Sequence, residues 1–171
     1  DILNFIVKSL GKNTSICKRN NKISFKNKLV NFPFENDLAS LDPVDNFACL
    51  RDFIFNKNKF KKPRNLEEWL LKVFGNSICE KYLFPYNEKI WNIKVKDLSM
   101  SWASRIPNPP AIDVLKGSIG IKTEGYLHQL YYHYPKKNGY QSISNTWAKK
   151  TNVIYNSNVN SIDLVNKKWI I

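Results

Sequence analysis

Apolar residues recur at helical spacing near the start of the chain. The pattern over residues 2–10 predicts an amphipathic helix that ends at Gly11, and the shorter runs over residues 16–19 and 22–30 predict a small hairpin or meander. A second helix is predicted to begin at Asp42-Pro43, a strong helix start. Its predicted inward face comprises Val44, Phe47, Ala48, Arg51, Ile54 and Phe55.

Two further helices are predicted from residue 65 onward. The sequence Asn65-Leu66-Glu67-Glu68 is similar to a capping box, and the apolar stripe that follows it ends at Gly75. Ser77 and Glu80 are candidates for capping the next helix, which Pro85 is expected to stop. Each of these helices is apolar on one side, so we expect a small bundle in which the apolar sides pack together.

The last third of the chain has the pattern of strands. We predict a loop over residues 107–110 and a strand over residues 127–134. A helix is predicted after residue 139, with Tyr140, Ile143 and Trp147 facing inward. Two further strands are predicted over residues 153–155 and 158–164, before a turn near Asn166. The result is an α+β fold. We predict a mainly helical subdomain with a small N-terminal β-hairpin over residues 1–106, and a mostly antiparallel β-sheet portion with one helix over residues 107–171.

Composition indicates one globular core and a cytoplasmic location. The chain has 171 residues, 43% of them hydrophobic, with no apolar run near the length of a membrane span and no leader pattern. It starts at Asp1 without a methionine and stops within a short apolar run, so we expect a segment of a longer protein. Three distant cysteines predict neither a disulfide framework nor a zinc site, and His128 and His133 fall on opposite faces of a strand, so no metal site is predicted.

The net charge of +13 predicts an anionic partner. Only four of the 27 basic residues are arginine, whereas proteins that read nucleic acid tend to concentrate arginine on one surface, so nucleic acid is not the expected partner. The alternative is a non-catalytic basic module that binds nucleic acid or acidic lipid through one dense cluster. That cluster, which is more often a solvated linker, comprises Lys57, Lys59, Lys61, Lys62 and Arg64.

Aromatic and charged residues are concentrated in residues 84–91, and residues 104–107 follow about a dozen positions later. Prolines in both stretches predict irregular backbone rather than a continuous helix, and polar chemistry on irregular backbone is typical of binding sites. An aromatic corner with its charges in water is the other interpretation.

Four stretches of the sequence resemble the FAD-dependent amine-oxidase-like superfamily, in particular its UDP-galactopyranose mutase and protoporphyrinogen-oxidase-like branch. Residues 74–91 are similar to the signature F/I-G-x-x-L-Y-E-x-F-x-x-x-Y-T-x-K-x-W, with Cys79 where tyrosine is usual. Residues 28–34 resemble the strand and F/Y-P turn of that branch, residues 134–140 its Y-P-x-x-G-G loop, and residues 153–162 its strand pair ending in V-x-x-I. The resemblance covers most of the chain, and only the first of these motifs is specific.

The resemblance implies a parent flavoenzyme of which this chain is the substrate-side segment. Members open with a G-x-G-x-x-G turn that holds the FAD pyrophosphate, and no such motif occurs among the six glycines of this chain. The segment alone is therefore expected neither to bind FAD nor to be active. Its implied partners are a small-molecule substrate, anionic or neutral, and N-terminal and C-terminal FAD-binding parts of the same parent chain.

The same resemblance implies which residues form the site. Tyr86 and Trp91 would line the substrate pocket, and Arg105 matches the arginine of an R-L-P turn that suits a phosphate or carboxylate. Val159, Asn138 and Gly139 match cofactor-binding positions. No catalytic residue is assigned.

The departures from the family pattern leave the reaction open. Pro109 stands roughly where the mutases have a second arginine, so a UDP-sugar substrate does not follow. The implied activity of the parent is that of an FAD-dependent oxidoreductase, similar to amine or protoporphyrinogen oxidases, or of a flavin-dependent sugar mutase acting as an isomerase. A flavin fold that has lost activity is a third hypothesis.

Overall fold

The computed structural model describes residues 1–58, 60–124 and 130–171. These residues form two compact units, a larger one of Lys18–Tyr131 and a smaller one of Asp1–Cys17 with Tyr132–Ile171. Helices predominate and the strands form small antiparallel sheets, which confirms the α+β class. The boundary proposed at residue 106 falls inside the larger unit and stays a prediction about subdomains.

In chain order, the helices are α1 (Ile2–Leu10), α2 (Pro43–Ile54), α3 (Leu66–Phe74), α4 (Asn76–Ile78), α5 (Phe84–Trp91), α6 (Ala111–Ser118) and α7 (Gln141–Ala148). The strands are β1 (Thr14–Lys18), β2 (Lys22–Phe25), β3 (Lys28–Asn31), β4 (Tyr131–Pro135), β5 (Asp163–Val165) and β6 (Lys168–Ile170). No helix of the described residues is long and apolar enough to cross a membrane.

The predicted first helix and hairpin are confirmed. Helix α1 begins at Asp1, whose carboxylate accepts a hydrogen bond from the Leu3 amide at 3.0 Å, and it ends at Gly11. Strands β2 and β3 pair antiparallel through a turn at Lys26 and Asn27, both in the left-handed region. Strand β1 pairs with β4 instead of extending this hairpin into a meander.

Helix α2 begins where predicted, but its predicted inward face is wrong. The buried residues are Asp45 and Cys49. Asp45 is drawn inward because its carboxylate lies 2.6 Å from the Lys26 ammonium and 2.9 Å from the Lys81 ammonium. Periodicity alone assigns such a polar position to solvent. Ala48 is half-buried, and the exposed residues of the predicted face are Val44, Phe47, Arg51, Ile54 and Phe55.

Helix α3 has the predicted cap and the predicted end. The Asn65 side chain accepts from the Glu68 amide at 3.0 Å, and the Glu68 carboxylate accepts from the Arg64 amide at 2.9 Å. Gly75 follows at φ 77°, where a Cβ atom would meet the Asp52 carbonyl oxygen at 2.2 Å. Position 75 therefore accepts only glycine, because the backbone of α2 lies directly against it.

The prediction that Pro85 stops the next helix is wrong. Residues Cys79–Leu83 form a π-helical turn between α4 and α5, and the Phe84 amide donates to the Cys79 carbonyl. A proline lacks the amide proton and clashes with the carbonyl one turn earlier in a regular helix, and the wider π turn changes the hydrogen-bond register just before it. The helical path thus continues past Pro85 to Trp91. Ser77 does not act as the predicted cap, because it donates to the Asp52 carboxylate from within α4.

After α5, residues Met100–Arg105 form a 3₁₀ helix. Helix α6 was not predicted, because three prolines among residues 107–110 indicated only a loop. Gly117 in α6 lies where a Cβ atom would meet the Asn36 carbonyl oxygen at 2.3 Å, which brings α6 against the core.

The predicted strands of the last third are only partly confirmed. Strand β4 and the turn at Asn166 between β5 and β6 are present. The predicted strand over residues 153–155 is wrong, and the one over 158–164 is confirmed only at residues 163 and 164, where β5 begins, because residues 153–162 form no strand. Residues 127–129 of the predicted strand 127–134, with His128, lie outside the described residues. Tyr140 and Trp147 are 65% and 39% exposed, and Trp147 stacks on Phe5 at 5.9 Å.

Candidate functional site

A cleft in the larger unit contains all three predicted substrate-binding residues. Its volume is about 570 Å³, and Tyr86, Trp91 and Arg105 all line it. Helix α5 supplies the first two residues and the 3₁₀ helix Met100–Arg105 supplies the third, while strand β2 contributes Lys22 and Ile23 to the lining. Positions far apart in sequence thus meet around one cavity.

Tyr86 occupies its position because the helix continues through the π turn. Its ring lies 5.3 Å from the ring of Tyr82, one turn earlier, and the Tyr82 ring stacks on Phe34 at 4.9 Å. Tyr82 and Phe34 are buried, so they anchor the aromatic row in the core. Tyr86 itself is 46% exposed and presents its ring to the cleft.

Trp91 and Arg105 are connected through Trp102. The rings of Trp91 and Trp102 meet edge to face at 5.1 Å, and the Arg105 guanidinium carbon lies 5.3 Å from the Trp102 ring centre. A guanidinium over an indole is held by a cation–π interaction and still presents its N–H groups to a ligand. Trp102 was not singled out in the sequence, although its spacing of three residues from Arg105 is the signal that could have found it.

Two buried polar residues of the cleft were also missed. Glu35 is 3% exposed and Asn87 is 2% exposed, and both line the cleft. The Asn87 amide donates to the Leu83 carbonyl at 2.8 Å, which fixes its side chain at the π turn. A carboxylate directly after the apolar run Phe32-Pro33-Phe34 was the available signal for Glu35.

The predicted cofactor-binding residues lie in the smaller unit. Asn138 and Gly139 adopt the left-handed backbone, with φ values of 63° and 53°. The Gly139 carbonyl accepts from the Ser142 amide at 3.2 Å and from its hydroxyl at 2.8 Å, so these residues begin α7. Val159 is 61% exposed in a segment without regular structure. Their assignment to a cofactor stays a prediction.

Metal-ligating residues form no cluster in the described part of the chain. No group of three His, Cys, Asp or Glu residues is placed to hold a metal ion within residues 1–58, 60–124 and 130–171. Burial raises the pKa of the Cys49 thiol to about 12 and that of Cys79 still further. These two cysteines are core residues, and Cys17 is half-buried.

The basic cluster is partly engaged in the fold. The Arg64 guanidinium donates to the Glu68 carboxylate at 2.9 Å, within the cap of α3. Lys57, Lys61 and Lys62 are exposed, and Lys59 lies outside the described residues. The alternative of a nucleic-acid or lipid-binding module therefore stays a hypothesis.

Comparison with solved structures indicates a related fold. No family model matches the sequence. The crystal structure of a reduced UDP-galactopyranose mutase superposes with a TM-score of 0.77 and 19% sequence identity. The match covers 86% of this chain and 32% of the mutase chain, so this chain spans about a third of that protein's length. The chain is therefore similar in fold to one segment of a mutase.

Proposed function

We propose that this chain is the substrate-binding wall of a flavin-dependent enzyme, an oxidoreductase or a sugar mutase, and that its cleft binds the substrate. The observation that carries the proposal is the meeting of Tyr86, Trp91 and Arg105 around one cavity. The related fold of UDP-galactopyranose mutase supports the flavoenzyme class.

The lining of the cleft suits a ligand with a flat ring and an anionic group. Tyr86 and Trp91 offer half-exposed aromatic faces on which a ring can stack. Arg105 is exposed at the same cavity and can bind a phosphate or carboxylate with two parallel hydrogen bonds. Together these side chains would orient the ligand and exclude water from its apolar face.

The described residues do not fit the pyrophosphate of FAD. Of the glycines in residues 1–58, 60–124 and 130–171, Gly75 and Gly117 have no room for a Cβ atom, and both are closed off by backbone of this same chain, so neither leaves space for a phosphate. The chain also lacks the glycine-rich turn that places a pyrophosphate on a helix N-terminus. FAD, which would supply the redox or adduct chemistry, would be held by other parts of a longer parent, and we assign no step through it to this chain.

The proposal is tested on the full-length protein that carries this chain. Purified without added cofactor, it should show flavin absorbance, and a flavin-free preparation would contradict the flavoenzyme class. Ligand binding is followed by quenching of tryptophan fluorescence, because Trp91 and Trp102 line the cleft. UDP-galactopyranose, named for the similar structure, is the first probe.

Matched variants locate the binding site. Arg105→Ala should weaken binding of the probe by about tenfold or more, since a charged hydrogen bond contributes about 1.5–3 kcal/mol. Tyr86→Ala should weaken binding without loss of folding, whereas Tyr155→Ala, at a position 75% exposed in the smaller unit, serves as the control. Equal affinity of all three variants would exclude the cleft as the site.

A further inference from the structure

Glu35 is a buried acid in a cleft whose other charged residues are basic. The short 3₁₀ helix Phe34–Asn36 follows β3 and is buried along its whole length, and Glu35 retains only 3% exposure. The basic residues that line the same cavity are Arg19, Lys22 and Arg105. Carboxylates are rarely buried so deeply, because loss of hydration is costly unless hydrogen bonds replace it.

The charge of Glu35 acts on the aromatic wall of the cleft. Burial raises the pKa of the Tyr82 phenol well above its usual value, and Tyr86 and Glu35 raise it further. Glu35 and Tyr82 both line the cleft, so the carboxylate shares this cavity with the phenol that stacks on Phe34 and adjoins Tyr86. A negative charge at this place favours donor groups of a ligand and repels anionic ones.

Glu35 has interactions within the protein. An ionised carboxylate has two oxygens with about four acceptor sites, so it can bind protein and ligand donors together. The basic residues would attract the anionic part of a ligand, and the acid would accept from its polar ring. The basic residues and the acid would therefore bind two different parts of the same ligand.

We propose that Glu35 is a specificity-determining residue of the cleft, whose carboxylate accepts hydrogen bonds from hydroxyl or amino groups of the bound ligand. The inference rests on the proposed function, and it adds a requirement that Tyr86, Trp91 and Arg105 do not impose. A ligand of this cleft must carry both an anionic group and hydrogen-bond donors. An anion without those donors binds more weakly.

The experiment compares two probes on the full-length protein by tryptophan fluorescence. UDP-galactopyranose carries the hydroxyl donors of its sugar ring, and UDP lacks that ring. Wild type should bind the first more tightly, and Glu35→Gln and Glu35→Met should reduce this preference by about tenfold. Glu80→Gln is the matched control, because Glu80 is exposed in the π-helical turn Cys79–Leu83 and does not line the cleft. The ratio of the two affinities reports ligand selection, which a purely structural role of Glu35 would leave unchanged.

The outcomes separate the two proposals. If wild type binds both probes with equal affinity, the role of Glu35 is overturned and the cleft still binds ligand; this result requires no variant to fold. An unchanged preference in both Glu35 variants overturns the role as well. If neither probe binds to wild type, the proposed function of the cleft fails for this ligand class, and the inference fails with it.

Discussion

The two units of the chain differ in how they bury apolar residues. Among the described residues, every fully buried large side chain belongs to the larger unit, including Phe34, Leu70 and Phe74. Among the described residues of the smaller unit, no large apolar side chain is buried; Ile6 and Leu10 are half-buried, and Trp169 is 68% accessible to solvent. The larger unit therefore has a core that can fix a cleft, whereas the smaller unit depends on local contacts.

Local contacts give the smaller unit little stability of its own. The stacked rings of Phe5 and Trp147 connect α1 with α7, and β5 pairs only with β6. A two-stranded hairpin is marginally stable by itself, and segments with few buried contacts open at low free-energy cost. A defined binding site is accordingly expected in the larger unit.

The largest effect should come from truncating a core aromatic residue of the larger unit. Phe74 is 1% exposed, so Phe74→Ala should lower the free energy of unfolding by about 3–5 kcal/mol. Phe47→Ala removes the same side chain from a position that is 64% exposed and should cost no more than about 0.5 kcal/mol. Denaturant unfolding measures both, and equal losses would refute the assignment of the core.

The next effect concerns the buried carboxylate of α2. Hydrogen bonds from Lys26 and then Lys81 hold the pKa of Asp45 below its usual value. A lowered pKa contributes stability that is present above the unfolded pKa, near 4, and is lost as pH falls through the folded pKa. Asp45→Asn should therefore lower stability at pH 7 by about 2 kcal/mol and flatten its decline below about pH 4.

Urea unfolding as a function of pH measures this contribution. Asp163→Asn is the control, because Asp163 is exposed in β5 of the smaller unit. If Asp45→Asn and wild type lost stability in parallel below pH 4, the ion pairs of Asp45 would not contribute in solution.

Local signals in the sequence were sufficient for several elements of the fold. The cap at Asn65, the end of α3 at Gly75 and the left-handed turn of the β2–β3 hairpin each follow from a few neighbouring residues. The buried face of α2 did not, because Asp45 is held by Lys26 and Lys81 from other elements. A periodic pattern reflects the polarity of each residue and contains no information about its partners in the tertiary structure.

Composition pointed to residues 84–91 and 104–107 as a candidate binding site, and the family resemblance was needed to name the residues within them. That resemblance named Tyr86, Trp91 and Arg105, which line one cleft. Pro85 alone predicts an irregular backbone over residues 84–91. The π turn that keeps the helix intact has no simple sequence signal. Glu35 was missed because its burial depends on the packing of elements distant in sequence.

A smaller effect is expected from the cap of α3. Asn65→Ala removes the acceptor for the Glu68 amide and should cost about 1 kcal/mol. Asp1→Ala removes the equivalent acceptor from α1 in the smaller unit. If the smaller unit opens separately, Asp1→Ala should change hydrogen exchange of α1 amides and leave the global unfolding midpoint unchanged. A shift of that midpoint equal to that of Asn65→Ala would show that both units unfold together.

The smallest effect should come from Trp169 in β6, opposite Leu164 in β5. Because its side chain is 68% exposed, Trp169→Ala should change the free energy of unfolding of the full-length protein by no more than about 0.5 kcal/mol. Trp69→Ala is the matched variant in the larger unit, where the half-buried indole lies 6.2 Å from the Phe74 ring. Its loss should exceed that of Trp169→Ala. A loss above 1 kcal/mol for Trp169→Ala would instead mean that another part of the protein covers the indole, since an exposed side chain has few contacts to lose.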